Sequence, residues 1–74
     1  MNRSFNSNIR YNGKIYHIQT EIYSDKVVTQ IFDGGKIINS IKSPFVDFKT
    51  TVSQHKKVEQ AVLKGNFLKD DKTF

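Results

Sequence analysis

The 74-residue sequence predicts an α+β fold in which a four-stranded antiparallel meander is followed by one C-terminal helix packed on one face, in the order ββββα. Three observations lead to this prediction. Segments rich in β-branched and aromatic residues alternate between apolar and polar side chains as far as residue 43. Turn-forming pairs separate these segments. From residue 47 onward the apolar residues change to helical spacing.

The first two strands are joined by Asn12-Gly13, a pair that readily adopts the positive φ angles of a two-residue type I′ turn. This turn places Tyr11 opposite Lys14 and Ile9 opposite Tyr16. Apolar residues occupy odd positions before the turn and even positions after it, so both sets fall on one side of the hairpin. The members of the two sets are Phe5, Ile9, Tyr11, Tyr16, Ile18 and Ile22.

Two further tight turns, at Ser24-Asp25 and Gly34-Gly35, continue the meander. With two-residue connections throughout, strict alternation assigns every later strand residue to one of two faces. The inner face is expected to gain Val27, Thr29, Ile31, Ile38 and Ser40. The outer face is expected to contain Asn6, Asn8, Arg10, Ile15, His17, Gln19, Glu21, Tyr23, Val28, Gln30, Phe32, Ile37, Asn39 and Ile41.

The helix has two possible starts: Ser43 as the cap with Pro44 in the first position, or Asp47 as the cap of a helix that begins at Phe48. Gly65 is expected to end it. Phe67 or Leu68 then returns to the core, which makes residues 1–68 a single domain and residues 69–74 a flexible tail. The apolar stripe that should cover the inner face consists of Phe48, Val52, His55, Val58 and Val62, flanked by Ala61 and Leu63.

Composition narrows the range of functions. The chain has no Cys, so disulfides and thiolate metal sites are excluded. It contains neither the apolar run of a signal peptide nor that of a membrane span, and we expect a cytoplasmic protein without a membrane partner. Twelve Lys and Arg against seven Asp and Glu give a net charge of +5, which favours acidic partners.

No catalytic residue, metal site, cofactor or small-molecule substrate is predicted. Glu21 is the only other potential metal ligand expected on the outer face with His17, and a metal site needs three or four ligands. His55 falls on the apolar stripe and is expected to be a packed histidine at the edge of the core. The segment 33–36 (DGGK) lacks the spacing of a phosphate-binding loop and should be a hairpin turn. We therefore predict that the protein is not an enzyme.

The outer face is the predicted binding surface, because it mixes apolar side chains with amides and charges. An exposed apolar patch is typical of a contact surface, although exposed apolar residues also occur on surfaces without a binding role. The sequence favours a non-enzymatic binding module that forms a homodimer or docks a protein partner through this face. The residues expected to carry the contact are Arg10, Ile15, His17, Gln19, Phe32 and Ile37.

A single-stranded nucleic-acid-binding domain is the alternative. Aromatic side chains on the sheet would stack on bases, and lysines on the helix would follow the phosphates. The RNP1 pattern is missing, and one helix cannot form a helix-turn-helix. The residues of this alternative site are Tyr23, Phe32, Lys49, Lys56, Lys57 and Lys64.

Three stretches resemble a group of short uncharacterised bacterial proteins and domains: FNSNIRYNGKIYHIQTE (5–21), IFDGGKIINSIKS (31–43) and QHKKVEQAVLKGNF (54–67). The shared pattern is a Phe-Asn…Asn opening, a His-x-Gln-Thr-Glu strand and a Gln-His-Lys helix that ends in Gly-x-Phe. The resemblance implies that residues 17–21 and 54–56 are characteristic positions. The group has no established activity, so the resemblance implies neither a catalytic residue nor a cofactor. This chain is shorter than the pattern between the second and third strands.

Overall fold

Four antiparallel strands and one helix make up the computed structural model, which describes residues 3–66. The strands lie side by side in chain order, and the helix packs mainly against the first three. The predicted ββββα meander is thus confirmed, while the predicted return of Phe67 or Leu68 and the tail 69–74 lie outside the described residues. The elements are β1 (Arg3–Tyr11), β2 (Lys14–Tyr23), β3 (Lys26–Asp33), β4 (Lys36–Pro44) and α1 (Phe48–Leu63).

The β1–β2 hairpin has the predicted register. Asn12 and Gly13 have φ angles of 57° and 80°, as a type I′ turn requires. Tyr11 pairs with Lys14 and Ile9 with Tyr16. The turns at residues 24–25 and 34–35 also join neighbouring strands directly, so the DGGK segment is a hairpin turn as predicted.

The side of the sheet under α1 is the covered face, and it contains the apolar residues of the predicted hairpin set. Ile18 and Ile31 are fully buried there and pack with Val58 and Val62 of the helix. Each such aliphatic side chain contributes roughly 1.5–3 kcal/mol by leaving water. The covered face consists of Phe5, Ser7, Ile9, Tyr11, Tyr16, Ile18, Thr20, Ile22, Val27, Thr29, Ile31, Asn39, Ile41 and Ser43.

The opposite side is the open face, on which no element of residues 3–66 packs. His17 and Gln19 lie there, as alternation predicts, because each is flanked along β2 by buried residues of the covered face. The open face consists of Ser4, Asn6, Asn8, Arg10, Ile15, His17, Gln19, Glu21, Tyr23, Val28, Gln30, Phe32, Ile37, Ser40 and Lys42.

Alternation fails in β4, where a bulge changes the register. Phe32 pairs with Ile37, but Ile31 pairs with Asn39, so Ile38 is an extra residue without a partner in β3. The predictions for Asn39 and Ile41 were therefore wrong, because both lie on the covered face rather than the outer one. Ser40 was also placed wrongly, because it pairs with Gln30 on the open face, and Ile38 is an unpaired residue with 39 % exposure that does not belong to the core.

Asp47 is the N-cap of α1, which decides between the two predicted starts. Its carboxylate accepts a 2.7 Å hydrogen bond from the backbone N–H of Thr50. Hydrogen bonding to the side chain of Thr50, followed by this backbone bond, lowers the pKa of Asp47. Ser43 and Pro44 belong to β4 instead. At the other end Gly65 has a φ of 75°, which suits glycine, and a Cβ built there would lie 2.6 Å from Cζ of Tyr11.

Candidate functional site on the open sheet face

The predicted contact residues lie together on the open face. Cross-strand pairing forms one row of Asn8, His17, Phe32 and Ile37 across all four strands. The other predicted residues adjoin this row: Arg10 and Ile15 pair with each other on one side, and Gln19 pairs with Gln30 on the other. Paired side chains on one face of a sheet are about 4.5–5.5 Å apart at Cβ, so the predicted set forms one continuous surface.

His17 is held in place at the centre of this row. Its Nδ1 donates a 3.0 Å hydrogen bond to Oδ1 of Asn8, while its ring centroid lies 5.6 Å from that of Phe32. The hydrogen bond to a side-chain carbonyl assigns the proton of the neutral ring to Nδ1, which leaves Nε2 as an acceptor. The open face therefore presents an oriented ring with one polar atom beside an aromatic surface.

Three apolar residues lie together at the end of the open face nearest the β3–β4 turn, and we call them the apolar patch: Ile15, Phe32 and Ile37. Ile15 and Ile37 are 54 % and 50 % exposed, and Phe32 is half-buried beside His17. Strict alternation missed the bulge, which leaves Ile38 unpaired and 39 % exposed.

The other end of the open face is polar. Amides and Ser40 form the next row, and Glu21, Val28 and Lys42 form the row beyond it. The Tyr23 hydroxyl donates a 2.5 Å hydrogen bond to the carboxylate of Glu21, and this bond raises the pKa of Tyr23. The open face thus carries few charges and has them away from the apolar patch, except for Arg10.

The residues of the nucleic-acid alternative do not form one site. Tyr23 and Phe32 lie on the open face, whereas Lys49, Lys56 and Lys57 line a groove on the outer surface of α1 in the other layer. Lys64 follows the helix as its C-cap and is also exposed. A strand of bases stacked on the aromatic side chains would therefore lie one protein layer away from these lysines.

The covered face contains a second group of polar side chains, which connects the helix to all four strands. Ser7 of β1 lies 2.9 Å from Nε2 of His55, and Thr20 of β2 lies 2.7 Å from its Nδ1. Thr20 is 2.7 Å from Thr29 of β3. The remaining contacts are hydrogen bonds from Gln54 to Thr29, from Ser43 of β4 to Gln54 and from Ser7 to Glu59.

One arrangement of protons satisfies this whole network. Ser7 donates to Glu59, so it accepts from Nε2–H of His55, and Nδ1 then accepts from Thr20. Burial lowers the pKa of His55, with His17 acting in the same direction and Glu59 opposing both, which favours this neutral tautomer. Every buried side-chain N or O atom in residues 3–66 has a partner. The prediction of a packed histidine is confirmed.

The Ser7, His55 and Glu59 arrangement differs from a catalytic triad. In a triad the histidine accepts the serine proton, and the acid holds the other ring nitrogen. Here Ser7 donates a hydrogen bond to Glu59, and the carboxylate of Glu59 lies 3.5 Å from Nε2 of His55, the nitrogen that also contacts Ser7. The other ring nitrogen, Nδ1, accepts a hydrogen bond from Thr20. The histidine is also 95 % buried, being only 5 % exposed. These contacts hold the helix on the sheet.

Residues 3–66 contain no group of three or more His, Asp or Glu side chains placed to hold a metal ion. Within the same residues, no helix has the length and apolar character needed to cross a membrane.

Comparison of the chain with family models, curated proteins and solved structures finds no match. The resemblance noted in the sequence stays a prediction, and a function must be inferred from the geometry itself.

Proposed function

We propose that the protein is a non-enzymatic binding module that forms a homodimer by packing the open faces of two copies together. The observation that carries this proposal is the apolar patch, whose residues adjoin one another on a face that no element of residues 3–66 covers. Burying apolar surface is the main driving force of protein association. The oriented His17, with its amide neighbours, would select the partner and fix its orientation.

The dimensions of the open face support this interface. Four strands spaced about 4.8 Å apart, each rising about 3.4 Å per residue over nine residues, give a face of roughly 20 by 30 Å. That area, about 600 Å² per partner, is at the lower limit of specific, stable interfaces, which bury about 1,200–2,000 Å² in total. A twofold axis through the face would bring the same residues together from both copies, as in most soluble oligomers.

The small core also supports a dimer. Seven apolar residues are buried in the described part of the chain, and Thr20, Thr29, Thr51 and His55 fill much of the remaining interior. A chain of this size buries a smaller share of its surface than a larger domain does, so it gains more from a second copy.

The distribution of charge favours two identical copies meeting at this face. The exposed lysines of α1 lie in the other layer, so a net charge of +5 per chain adds little repulsion at the open face. The carboxylate of Glu21 and the cations Arg10 and Lys42 give that face both signs of charge.

Sedimentation equilibrium of Ile37→Lys tests the proposal. Ile37 is half exposed and would occur twice in a symmetric interface, so the substitution should weaken dimerisation at least about tenfold. Leu63→Lys is the matched control, because Leu63 is 49 % exposed at the end of α1 and should leave the dimer intact. Phe32→Lys should also weaken the dimer while the circular dichroism spectrum stays that of the folded chain.

Three results would contradict the proposal: a wild-type chain that stays monomeric at millimolar concentration, equal effects of Ile37→Lys and Leu63→Lys, or unfolding of both open-face variants. Binding of an oligonucleotide at moderate salt that Phe32→Lys abolishes would instead support the nucleic-acid alternative.

A further inference from the structure

A second surface lies on the other layer of the molecule, where the outer edge of β1 faces the side of α1. β1 pairs only with β2 among the described strands, so alternate backbone N–H and C=O groups of β1 point away from the sheet. Beside this edge is a groove of about 580 Å³ between β1 and α1. A free strand edge next to a groove is the geometry by which sheets bind extended peptides.

The two edges of the sheet differ in a way that favours β1 as the binding edge. β4 has the bulge at Ile38, ends in Pro44 and carries Lys36 and Lys42, all features that discourage the addition of another strand. β1 pairs regularly over nine consecutive residues with neither bulge nor proline. One edge is therefore protected, while the other presents a regular backbone.

The walls of the groove combine apolar and polar groups. Phe5 of β1 and Phe48 of α1 meet edge to face, with their ring centroids 5.9 Å apart, and Val52 extends this apolar surface. Deeper in the groove lie Ser7, His55 and Glu59, whose mutual hydrogen bonds form a polar floor. The groove thus offers apolar contacts for alternate side chains of an extended strand.

The rim of the groove is basic. The Arg3 guanidinium lies 5.2 Å from the ring centroid of Phe48, and Lys56 lines the opposite side. Val52 and Lys56 also line the neighbouring groove on the outer surface of α1, which adds Lys49 and Lys57. Glu59 is the one acid that lines the first groove, so Arg3 and Lys56 together leave a net positive charge around it.

We propose that the β1–α1 groove binds an extended acidic peptide segment, which adds to the free edge of β1 as a fifth strand and places its carboxylates beside Arg3 and Lys56. The backbone of β1 supplies ladder hydrogen bonds, Phe5 and Phe48 take apolar side chains, and the cations select acidic ones. This site is distinct from the apolar patch of the proposed dimer, although Ser4 and Asn6 of the open face also line the groove.

The observations favour an acidic peptide over two other occupants. A nucleic acid has negative charge but cannot supply a hydrogen-bonded strand to the edge of β1. A second copy of this chain would bring two basic rims together, with Arg3 and Lys56 from each, and like charges disfavour that contact.

Fluorescence anisotropy with a labelled peptide, Thr-Glu-Thr-Val-Thr-Glu-Thr, tests the proposal on the full chain, because the Glu and Val side chains of this peptide share one face of an extended strand. We expect saturable binding. The same peptide N-methylated at alternate residues should bind at least about tenfold more weakly because it cannot form the ladder. A peptide with Lys at each acidic position should not bind. The double variant Arg3→Glu with Lys56→Glu should weaken binding about tenfold or more.

The control variant carries the same charge change away from the groove, at Lys36→Glu with Lys64→Glu, and should bind within about threefold of wild type. The proposal is overturned if the acidic peptide does not bind at millimolar concentration, if N-methylation has no effect, or if both double variants weaken binding equally. It is also overturned if an oligonucleotide or a second copy of the chain occupies the β1 edge in preference to the peptide, as amide chemical shifts would reveal.

Discussion

At the scale of single residues, His55 is the side chain on which the interior most depends. It is 5 % exposed and links Ser7 of β1 to Thr20 of β2 through its two ring nitrogens. Its neutral tautomer satisfies both contacts, whereas a protonated ring would present a second N–H to Thr20 and require the hydroxyl protons beyond it to reverse. The buried network therefore makes the folded state sensitive to pH.

Stability should fall as the pH drops below about 6.5, the ordinary pKa of histidine. Burial lowers the pKa of His55 in the folded chain, so between that lowered pKa and 6.5 the unfolded chain binds more protons. The stability that neutral His55 contributes is fully present above pH 6.5. It is lost as the pH falls toward the pKa of His55 in the folded chain. Thermal melts from pH 7.5 to 5 should show a decreasing Tm.

The variant His55→Gln isolates this effect, because glutamine does not titrate. It should lose about 1–3 kcal/mol of stability at neutral pH by leaving network partners unsatisfied, and its Tm should change less between pH 7.5 and 5 than that of wild type. His17→Gln is the control, since His17 lies on the open face and its loss should leave the decrease in place. If Tm changes equally with pH in wild type and in His55→Gln, then His55 is not the cause of the pH dependence.

The His55 network was only partly predictable. The histidine falls on the helical stripe, and Thr29 falls on the predicted inner face, so polar groups inside the core were visible in the sequence. The partners of each group were not visible, because they depend on how α1 lies across the strands. Thr51, which is 2 % exposed, was missed for the same reason.

At the scale of elements, the turns determined how well the strands could be predicted. Asn12-Gly13 has one favoured conformation, so the register of β1 and β2 followed from it together with the apolar alternation. The bulge in β4 has no comparable local signature. Its sequence, KIINSIK, is compatible with either assignment of residues to the two faces. The structure places Ile41 on the covered face, where it pairs with Thr29 and packs against the core.

Two alanine substitutions test the bulge. Ile41 packs against the core on the covered face, so Ile41→Ala should destabilise the monomer by about 1–2 kcal/mol. Ile38 is an exposed, unpaired residue, and Ile38→Ala should change the stability of the monomer by about 0.5 kcal/mol or less. Urea denaturation at low protein concentration measures both. A larger loss for Ile38→Ala than for Ile41→Ala would mean that β4 keeps strict alternation.

At the scale of the whole molecule, the two layers present surfaces of different chemistry. The sheet layer exposes an apolar patch beside amides, and the helix layer exposes lysines next to the free edge of β1. Alternation predicted the open face and placed all six proposed contact residues on it. The groove was not predictable, since it forms where α1 leaves the edge of β1 uncovered, and the sequence does not specify that offset.

The most direct test of the proposed dimer is a distance measurement between spin labels by electron paramagnetic resonance. The chain has no Cys, so Ser40→Cys labels the open face alone and Ser53→Cys labels the exposed side of α1 alone. If two open faces pack about 10 Å apart, as stacked sheets do, labels at residue 40 should be closer together between copies than labels at residue 53. The proposed dimer therefore predicts a shorter distance between labels at residue 40 than between labels at residue 53. A shorter distance at residue 53, or no dipolar coupling at residue 40 at high concentration, would contradict the proposed dimer.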